Sequence, residues 1–244
     1  AGLSDHECFD AQPVIDAVSD FFTENREYAN LPRKYKMTIT GCAEDCAQSQ
    51  INDVGLTPAK KEIEGETYYG FHARVGGGLS DGPRMATDMD VFVRPEDAVE
   101  FCRAVAQVFK ELGDRNNRGV CRMRYLVQQM GTENFEDAVR NRCAVDLRER
   151  GRDLTEGYRG DHVGVHDQKQ GTLQYAGFNV IAGRMGGEEF ANAARAAKEY
   201  GTENASVRLA TDQNFLISHV PAEEMEDLLR EPFARKYRPD PGPF

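Results

Sequence analysis

A stretch rich in charge and glycine, RERGRDLTEGYRGD, occupies residues 148–161 and divides the 244-residue chain into two parts. Before it, apolar spacing predicts three successive helices at residues 95–113, 116–130 and 132–143. After it, strand-like and helical segments follow one another as β-α-β-β-α. Because each part carries its own apolar segments, we expect an α+β fold with a domain boundary in this stretch.

The first part is predicted to begin with a helix at residues 12–25, where apolar side chains follow helical spacing. An extended segment follows Pro32, and a short strand covers residues 51–56. We expect a charged turn, AKKEIEGE, at residues 59–66, and then a strand, GFHARV, that ends in the glycine loop VGGGLSDGPR. In the second part, strands are expected at residues 173–183, 206–211 and 214–218, and helices at residues 187–201 and 221–230.

Acidic residues outnumber basic ones by 41 to 30, which gives a formal net charge of −11. The basic side chains are 22 arginines and only 8 lysines, which fits either a halophilic protein solvated in concentrated salt or an ordinary acidic cytosolic protein. A negative surface disfavours general nucleic-acid binding. The sequence shows neither a secretory signal nor an apolar run of about 18–20 residues, so we expect a cytoplasmic protein without a membrane partner.

Two lysines, Lys34 and Lys36, alternate with Arg33 and Tyr35 in the segment after Pro32. In an extended chain, Lys34 and Lys36 point to the same side. An anionic substrate or cofactor between the two ammonium groups would relieve their repulsion. From the pattern alone, a solvated strand edge protected by lysine is the simpler interpretation.

Arginines recur at positions that would share one helical face, namely Arg115, Arg118 and Arg122. Such a stripe in an acidic chain indicates a polyanionic ligand, because guanidinium groups bind carboxylates and phosphates in a bidentate manner. A helix end matched to acidic neighbours is the alternative. The nearby glycine loop lacks the residues of a P-loop or a dinucleotide fingerprint, so its glycines indicate close backbone approach to a bulky ligand, or simply a turn.

Six cysteines are present, and in a cytosolic chain we do not expect them to form a disulfide framework. Cys42 and Cys46 alone are close in sequence, and two thiolates at this spacing can hold part of an iron–sulfur cluster. A cluster needs about four such ligands, however. His162 and His166 are interpreted as structural or solvated, because no metal-binding motif accompanies them.

Several longer motifs occur in the same order in siroheme-dependent nitrite and sulfite reductases, which the sequence resembles over nearly its whole length. These motifs are ANLPRKYK (29–36), INDVGL (51–56), GFHARVGGGLS (70–80), FKELGDRNNRGVCRMRYLVQQMGTENF (109–135), GVHDQKQ (164–170) and TDQNFLISHVP (211–221).

The resemblance implies an enzyme of two pseudo-symmetric repeats, each pairing a ferredoxin-like half-domain with a larger siroheme and iron–sulfur domain. It implies that residues 1–29 form a helical segment leading into the first large domain, at residues 30–150. Residues 160–235 would form the second ferredoxin-like half-domain, and residues 236–244 a linker. Siroheme and a [4Fe–4S] cluster would reduce nitrite to ammonium, or sulfite to sulfide, with six electrons.

Carried over residue by residue, the resemblance makes Lys34 and Lys36 the catalytic residues, which bind the anion and supply protons or organise protonating water. Siroheme carries several carboxylates, and the residues expected to bind them are Arg33, Arg115, Arg118 and Arg122. Gln213 and Asn214 match a half-domain motif that points toward the cofactor.

The family's cluster ligands follow the patterns Cys-x5-Cys and Cys-x3-Cys in a second large domain, and this sequence lacks that set. We therefore expect the ligands beyond Phe244 and a first half-domain before Ala1, so that the chain is an interior segment, inactive by itself. Cys42 and Cys46 occupy the pseudo-symmetric position and are interpreted as a relic rather than as ligands.

The substrate is expected to be nitrite, with sulfite as the alternative, and the electron donor is expected to be ferredoxin. Lys36 is typical of sulfite-type members, whereas GVHDQKQ, LTPA and AGLSDHE resemble nitrite-type members. A hypothesis from another class is a non-catalytic docking module, whose arginines bind an acidic protein or another polyanion. That module would carry no visible chromophore.

Overall fold

The structure is a computed structural model that describes residues 2–157 and 162–240. The chain forms two compact units: the first comprises residues 6–157, and the second comprises residues 2–5 together with 162–240. Parts of the expected domain boundary and of the expected linker, residues 158–161 and 241–244, lie outside the described residues. Both units combine helices with largely antiparallel sheets, which confirms the predicted α+β class.

The first unit is built on a five-stranded sheet with the order β1-β2-β3-β4, to which a short fifth strand adds beside β2. The pair β1–β2 is parallel, and the other strand pairs are antiparallel. Its elements are α1 (Gln12–Phe22), β1 (Met37–Ile39), β2 (Val54–Ile63), β3 (Glu66–Val75), β4 (Thr87–Val93), α2 (Ala98–Leu112), α3 (Met123–Met130), α4 (Thr132–Arg140) and β5 (Arg152–Asp153).

The hairpin β2–β3 corrects the predicted charged turn at residues 59–66. Strand β2 continues to Ile63, and only Glu64 and Gly65 form the turn, both with positive φ, as a two-residue hairpin turn requires. Ile63 is buried, and Lys60 pairs with Tyr69 across the hairpin. Cross-strand pairing therefore outweighs the polar composition that suggested a turn.

Strand β4 was not foreseen, although its sequence TDMDVFV carries the two-residue alternation of a half-buried strand. Met89, Val91 and Val93 are buried and Asp88 and Asp90 are exposed, although Phe92, on the same side as the two aspartates, is buried as well. The predicted helix at residues 95–113 is present as a short 3-10 turn followed by α2. Eight of its side chains are buried, and seven of these belong to the core that α2 forms together with the sheet, α1, α3 and α4.

The predicted helix at residues 116–130 is wrong in its first half, because α3 begins only at Met123. The carboxylate of Asp114 accepts the backbone N–H groups of Asn116 and Asn117, at 2.7 and 2.9 Å. The side chain of Asn117 in turn accepts the N–H of Gly119. These local hydrogen bonds replace those that a helix would make, so the segment forms turns.

The second unit is a four-stranded antiparallel sheet with the order β6-β7-β9-β8. Its elements are β6 (Gly164–Asp167), β7 (Leu173–Phe178), α5 (Gly187–Tyr200), β8 (Ser206–Leu209), β9 (Phe215–Pro221), α6 (Met225–Arg230) and α7 (Pro232–Lys236). The predicted β-α-β-β-α order is present, with β6 added before it and α7 after it. Phe178 and Phe215 stack in its core with ring centroids 5.0 Å apart. In neither described range is any helix long and apolar enough to cross a membrane.

Candidate functional site

The predicted substrate lysines lie on an exposed segment that leads into β1. Lys34 and Lys36 are exposed, whereas Tyr35 between them is turned inward. The Tyr35 ring stacks on Phe109 of α2 with centroids 5.8 Å apart, and its hydroxyl is buried. Because Tyr35 anchors the middle of the segment in the core, its two neighbours are left facing solvent.

The Asp53 carboxylate fixes the backbone of this segment through a hydrogen bond. This fully buried carboxylate accepts the N–H of Lys36 at 2.9 Å and two hydrogen bonds from the guanidinium of Arg122, at 2.8 and 3.1 Å. The N–H of Val54 donates to the carbonyl of Lys36 at 3.1 Å. Burial raises the pKa of Asp53, while the Arg122 charge and the Lys36 N–H act to lower it. Lys36 is therefore held on both sides of its peptide unit.

The glycine loop packs against the same region of the backbone. The carbonyls of Asn52 and Asp53 accept the N–H groups of Gly77 and Gly76, each at 2.9 Å. A Cβ on Gly77 would lie 2.7 Å from the carbonyl oxygen of Asn52, which is closer than van der Waals contact allows. The sequence predicted that these glycines allow the backbone to approach a bulky ligand. In the structure, Gly76 and Gly77 instead approach the backbone of Asn52 and Asp53.

Arg124 secures the rest of the glycine loop. Its buried guanidinium donates to the carbonyl of Leu79 at 3.2 Å and to that of Asp81, and the Tyr125 hydroxyl also donates to Asp81. The Nε of Arg124 is buried and has no hydrogen-bond partner within the described ranges. The side chains of Leu79 and Met85 remain more than half exposed at the tip of the loop.

The predicted arginine stripe is wrong as a helical face. Arg118 lies in a turn, and Arg122 is the residue before the first turn of α3. Arg115 also precedes the helix, and it donates to the carbonyls of Asn30 and Lys110 at 2.9 and 3.0 Å. The Asx turn that delays the helix is the physical reason for this difference. Arg115 thus holds the start of residues 30–36, the lysine segment, through the carbonyl of Asn30. Arg122 holds its end, because it binds the Asp53 carboxylate that accepts the N–H of Lys36.

The exposed side chains of the lysine segment and of the turn before α3 include cations that make no hydrogen bond or ion pair within the described ranges, namely Arg33, Lys34, Lys36 and Arg118. A ligand with several carboxylates would supply the partners they lack. The Nε of Arg122 is also buried without an acceptor. These side chains therefore fit a polycarboxylate such as siroheme.

Gln213 and Asn214 lie in the turn between β8 and β9 of the second unit. Gln213 is exposed with φ of +67°, and a Cβ on Gly183 would lie 2.5 Å from its Oε1. Asn214 is buried, and its Oδ1 accepts the N–H of Val180 at 2.9 Å. Asn214 therefore ties the turn to the loop after β7, and the cofactor contact expected of both residues stays a prediction.

The described cysteines do not form a four-thiolate site. All six lack a disulfide, and Cys102 and Cys121 are buried in the first unit. Within residues 2–157 and 162–240, the metal-binding side chains that come together in a group of three or more are Cys42, Glu44 and Cys46. This group does not fit a [4Fe–4S] cluster, which takes four thiolates.

Sequence reasoning missed the residues that position the site. Asp53 lies inside the motif INDVGL, and an acidic residue directly before a buried strand was the available signal. Tyr35 and Arg124 gave weaker signals, because an inward tyrosine or a buried arginine is recognised only from its surroundings.

Two family models match the chain, "Nitrite and sulphite reductase 4Fe-4S domain" over residues 1–147 and "Nitrite/Sulfite reductase ferredoxin-like half domain" over residues 166–234. The chain belongs to the nitrite and sulfite reductase family, as the sequence motifs predicted. Membership implies siroheme and a [4Fe–4S] cluster as the cofactors of the family.

Among its relatives, the assimilatory ferredoxin-dependent nitrite reductase of Haloferax mediterranei is 38% identical, over 100% of this chain and 44% of its own length. The ferredoxin–nitrite reductase of Synechococcus elongatus is 33% identical, over 100% of this chain and 48% of its own length. The solved structure of the NirA protein of Mycobacterium tuberculosis superimposes with a TM-score of 0.86 at 28% identity, covering 98% of this chain and 42% of that one. The chain spans less than half the length of these proteins.

Proposed function

We propose that this chain forms the substrate-facing part of an assimilatory, ferredoxin-dependent nitrite reductase, which reduces nitrite to ammonium with six electrons. One observation carries the proposal: two exposed lysines, Lys34 and Lys36, stand beside Arg33 on a segment whose backbone is fixed by buried Asp53. The relatives named above as ferredoxin-dependent nitrite reductases support nitrite as substrate and ferredoxin as donor. The cytoplasm is the proposed location.

The two lysines attract and orient the anion. An anion about 4 Å from one ammonium group gains roughly 1 kcal/mol in bulk water and about 4 kcal/mol where the effective dielectric constant is about 20. A site covered by a large cofactor approaches the second case, because water is excluded. The backbone of Lys36 is hydrogen-bonded at both its N–H and its carbonyl, so the Cα position of this residue is fixed. This lowers the entropic cost of positioning its side chain.

Lys34 and Lys36 also lie where protons are needed. When bound, siroheme supplies the iron at which the anion is reduced, and the [4Fe–4S] cluster supplies the electrons. As the N–O bonds break, negative charge develops on the departing oxygens, and an ammonium group neutralises that charge or donates a proton to it. Water then reprotonates the lysine, so the side chain acts repeatedly.

The four predicted arginines divide into two pairs. Arg33 and Arg118 bind siroheme carboxylates directly, since their side chains are exposed. Arg115 and Arg122 act mainly by bracing the lysine segment, and Arg122 keeps its Nε for an acceptor. The ligands of the cluster are expected outside the described residues, because the thiols here do not make up a set of four.

Sulfite is the second candidate substrate, and Lys36 is the observation that favours it. The test uses the full-length protein that contains this chain, expressed with siroheme supply and assayed with nitrite and sulfite separately, with reduced methyl viologen as donor. We expect a siroheme spectrum in visible light and a higher kcat/KM for nitrite. A preference for sulfite would overturn the substrate assignment. Absence of any chromophore would overturn the reductase assignment and favour the docking module.

A further inference from the structure

The loop after β1 brings two thiols and a carboxylate together. The ligand atoms of Cys42, Glu44 and Cys46 all lie within 4.8 Å of one another, and the Sγ of Cys46 is 3.9 Å from an Oε of Glu44. Cys42 is buried, and the side chain of Glu44 is only 14% exposed. Two thiols and a carboxylate are side chains that bind a transition-metal cation when they lie this close together.

An imidazole lies on the open side of this group. The Nε2 of His6 is 3.6 Å from an Oε of Glu44, and the His6 side chain is 39% exposed. The backbone places it there, because the N–H of Ala43 donates to the His6 carbonyl at 3.0 Å and the N–H of Cys8 donates to the carbonyl of Gly41 at 2.8 Å. His6 thus stands next to the group formed by Cys42, Glu44 and Cys46, on the side of Glu44, without being part of that group.

The loop is held in shape by residues that are not ligands. Asp45 adopts a positive φ of +49°, and its carboxylate accepts the Ser49 N–H at 3.1 Å and the Ser49 hydroxyl at 2.6 Å. The Thr40 hydroxyl oxygen accepts the N–H of Cys42 at 3.0 Å. Because these contacts are independent of any metal, the thiols are presented in a preformed arrangement, which lowers the entropic cost of binding.

We propose that Cys42, Glu44 and Cys46 bind one divalent cation of the zinc class, and that the neighbouring His6 imidazole turns toward it to become the fourth ligand of a tetrahedral site. Zn²⁺ takes this mixture of thiolate, imidazole and carboxylate ligands, at about 2.3 Å to sulfur and about 2.0–2.2 Å to nitrogen or oxygen. With four protein ligands the site is closed and therefore structural. It would pin the segment around His6 to the loop that leads from β1 to β2. The site is independent of the proposed nitrite reduction.

The site differs from an iron–sulfur site in composition. A [4Fe–4S] cluster takes four thiolates, and only two are present in this group. Cys8 lies near Cys42 but outside the group whose ligand atoms share one centre. A hard cation such as Mg²⁺ is disfavoured, because it prefers oxygen ligands and retains water.

The test titrates the reduced, metal-free 244-residue chain with Co²⁺ and then with Zn²⁺. We expect one Co²⁺ per chain with a thiolate-to-cobalt absorption band, and displacement of the cobalt by Zn²⁺. The double variant Cys42→Ser/Cys46→Ser should lose the band, whereas Cys143→Ser, which removes a thiol outside the group, should keep it. Glu44→Gln retains both thiols and should weaken Zn²⁺ binding by at least about tenfold.

Three results would overturn the proposal. The first is a folded chain, as judged by near-ultraviolet circular dichroism, that shows no thiolate-to-cobalt band. The second is a band that persists in the double variant or, if that variant does not fold, Zn²⁺ affinity that Glu44→Gln leaves unchanged. The third is iron with acid-labile sulfide bound through Cys42 and Cys46 in the protein as purified.

Discussion

The carboxylate of Asp53 accepts the backbone N–H of Lys36 at 2.9 Å, although the two residues are 17 positions apart. The contact joins the end of the lysine segment to the residue directly before β2, which runs parallel to β1. Because the same carboxylate binds Arg122, one buried charge organises both the segment that carries Lys34 and Lys36 and the start of α3. The position of the exposed Lys36 thus depends on a residue that is itself buried.

Asp53→Asn removes that charge while keeping the shape of the side chain. Arg122 then lacks its counter-ion in a largely buried setting, and we expect the free energy of unfolding to fall by about 3 kcal/mol. Urea unfolding of the 244-residue chain measures it. Asp20→Asn, an exposed acidic residue on α1, is the matched control and should change stability by less than about 0.5 kcal/mol. Equal effects of the two substitutions would contradict the role assigned to Asp53.

Arg74 is another buried charge of the first unit. It donates to the Thr57 hydroxyl at 2.8 Å and pairs with Asp88 and Asp153. Arg74→Ala leaves both carboxylates without this partner, and we expect a loss of roughly 3 kcal/mol in the free energy of unfolding. Thermal and urea unfolding check this, with Arg150→Ala as an exposed control. A loss below about 1 kcal/mol in the free energy of unfolding would show that water can take the place of the Arg74 hydrogen bond and ion pairs.

Gly77→Ala tests the close packing of the glycine loop. The added Cβ would meet the carbonyls of Gln50 and Asn52, so the loop must shift, and we expect destabilisation by about 1–3 kcal/mol. Gly187→Ala is the control, since a Cβ there meets nothing within 4 Å at the start of α5. It should be neutral or slightly stabilising in urea unfolding. Tolerance of Gly77→Ala would contradict the observed approach of the two backbones.

Glu189 gives the second unit a pH dependence. Hydrogen bonds from Lys236, Tyr237 and the N–H of Gly186 lower the pKa of Glu189 to about 2. The unfolded value is about 4.3, so these contacts stabilise the fold above about pH 4, and their contribution is lost as the pH falls through 2.

Glu189→Gln should therefore lose less stability than the unsubstituted chain between about pH 5 and pH 2.5. Urea unfolding at both pH values measures the difference, and Glu203→Gln, a substitution at an exposed residue, should behave like the unsubstituted chain. If acid destabilises Glu189→Gln as much as the unsubstituted chain, the lowered pKa is not realised in solution.

Long periodic segments were predictable from the sequence, and local side-chain chemistry was not. The helix α2 and the β-α-β-β-α order followed from apolar spacing, because burial of one face sets these elements. The start of α3 could not be predicted from spacing, since the Asp114 carboxylate captures the N–H groups that a helix needs. Likewise, Lys60 and Lys61 look like a turn in sequence, and only pairing with β3 makes them a strand.

Some residues of the candidate site were predictable from the sequence and others were not. Lys34 and Lys36 were identified from the alternation and from the family motif, and the structure leaves both exposed. The braces Asp53 and Arg124 were not identified, because their roles depend on partners 69 and 45 positions away. Arg122 was singled out for a cofactor contact, and its bond to Asp53 shows a structural role that no sequence pattern indicated.

Lys34 and Lys36 are proposed to bind and protonate the substrate anion. Steady-state nitrite turnover of the full-length, siroheme-loaded protein carrying Lys34→Ala/Lys36→Ala tests this proposal, with Lys198→Ala as an exposed lysine control. We expect an unchanged visible spectrum and a fall in kcat/KM for nitrite of about a hundredfold or more in the double variant, with the control unaffected. Unchanged nitrite turnover in a siroheme-loaded double variant would contradict it.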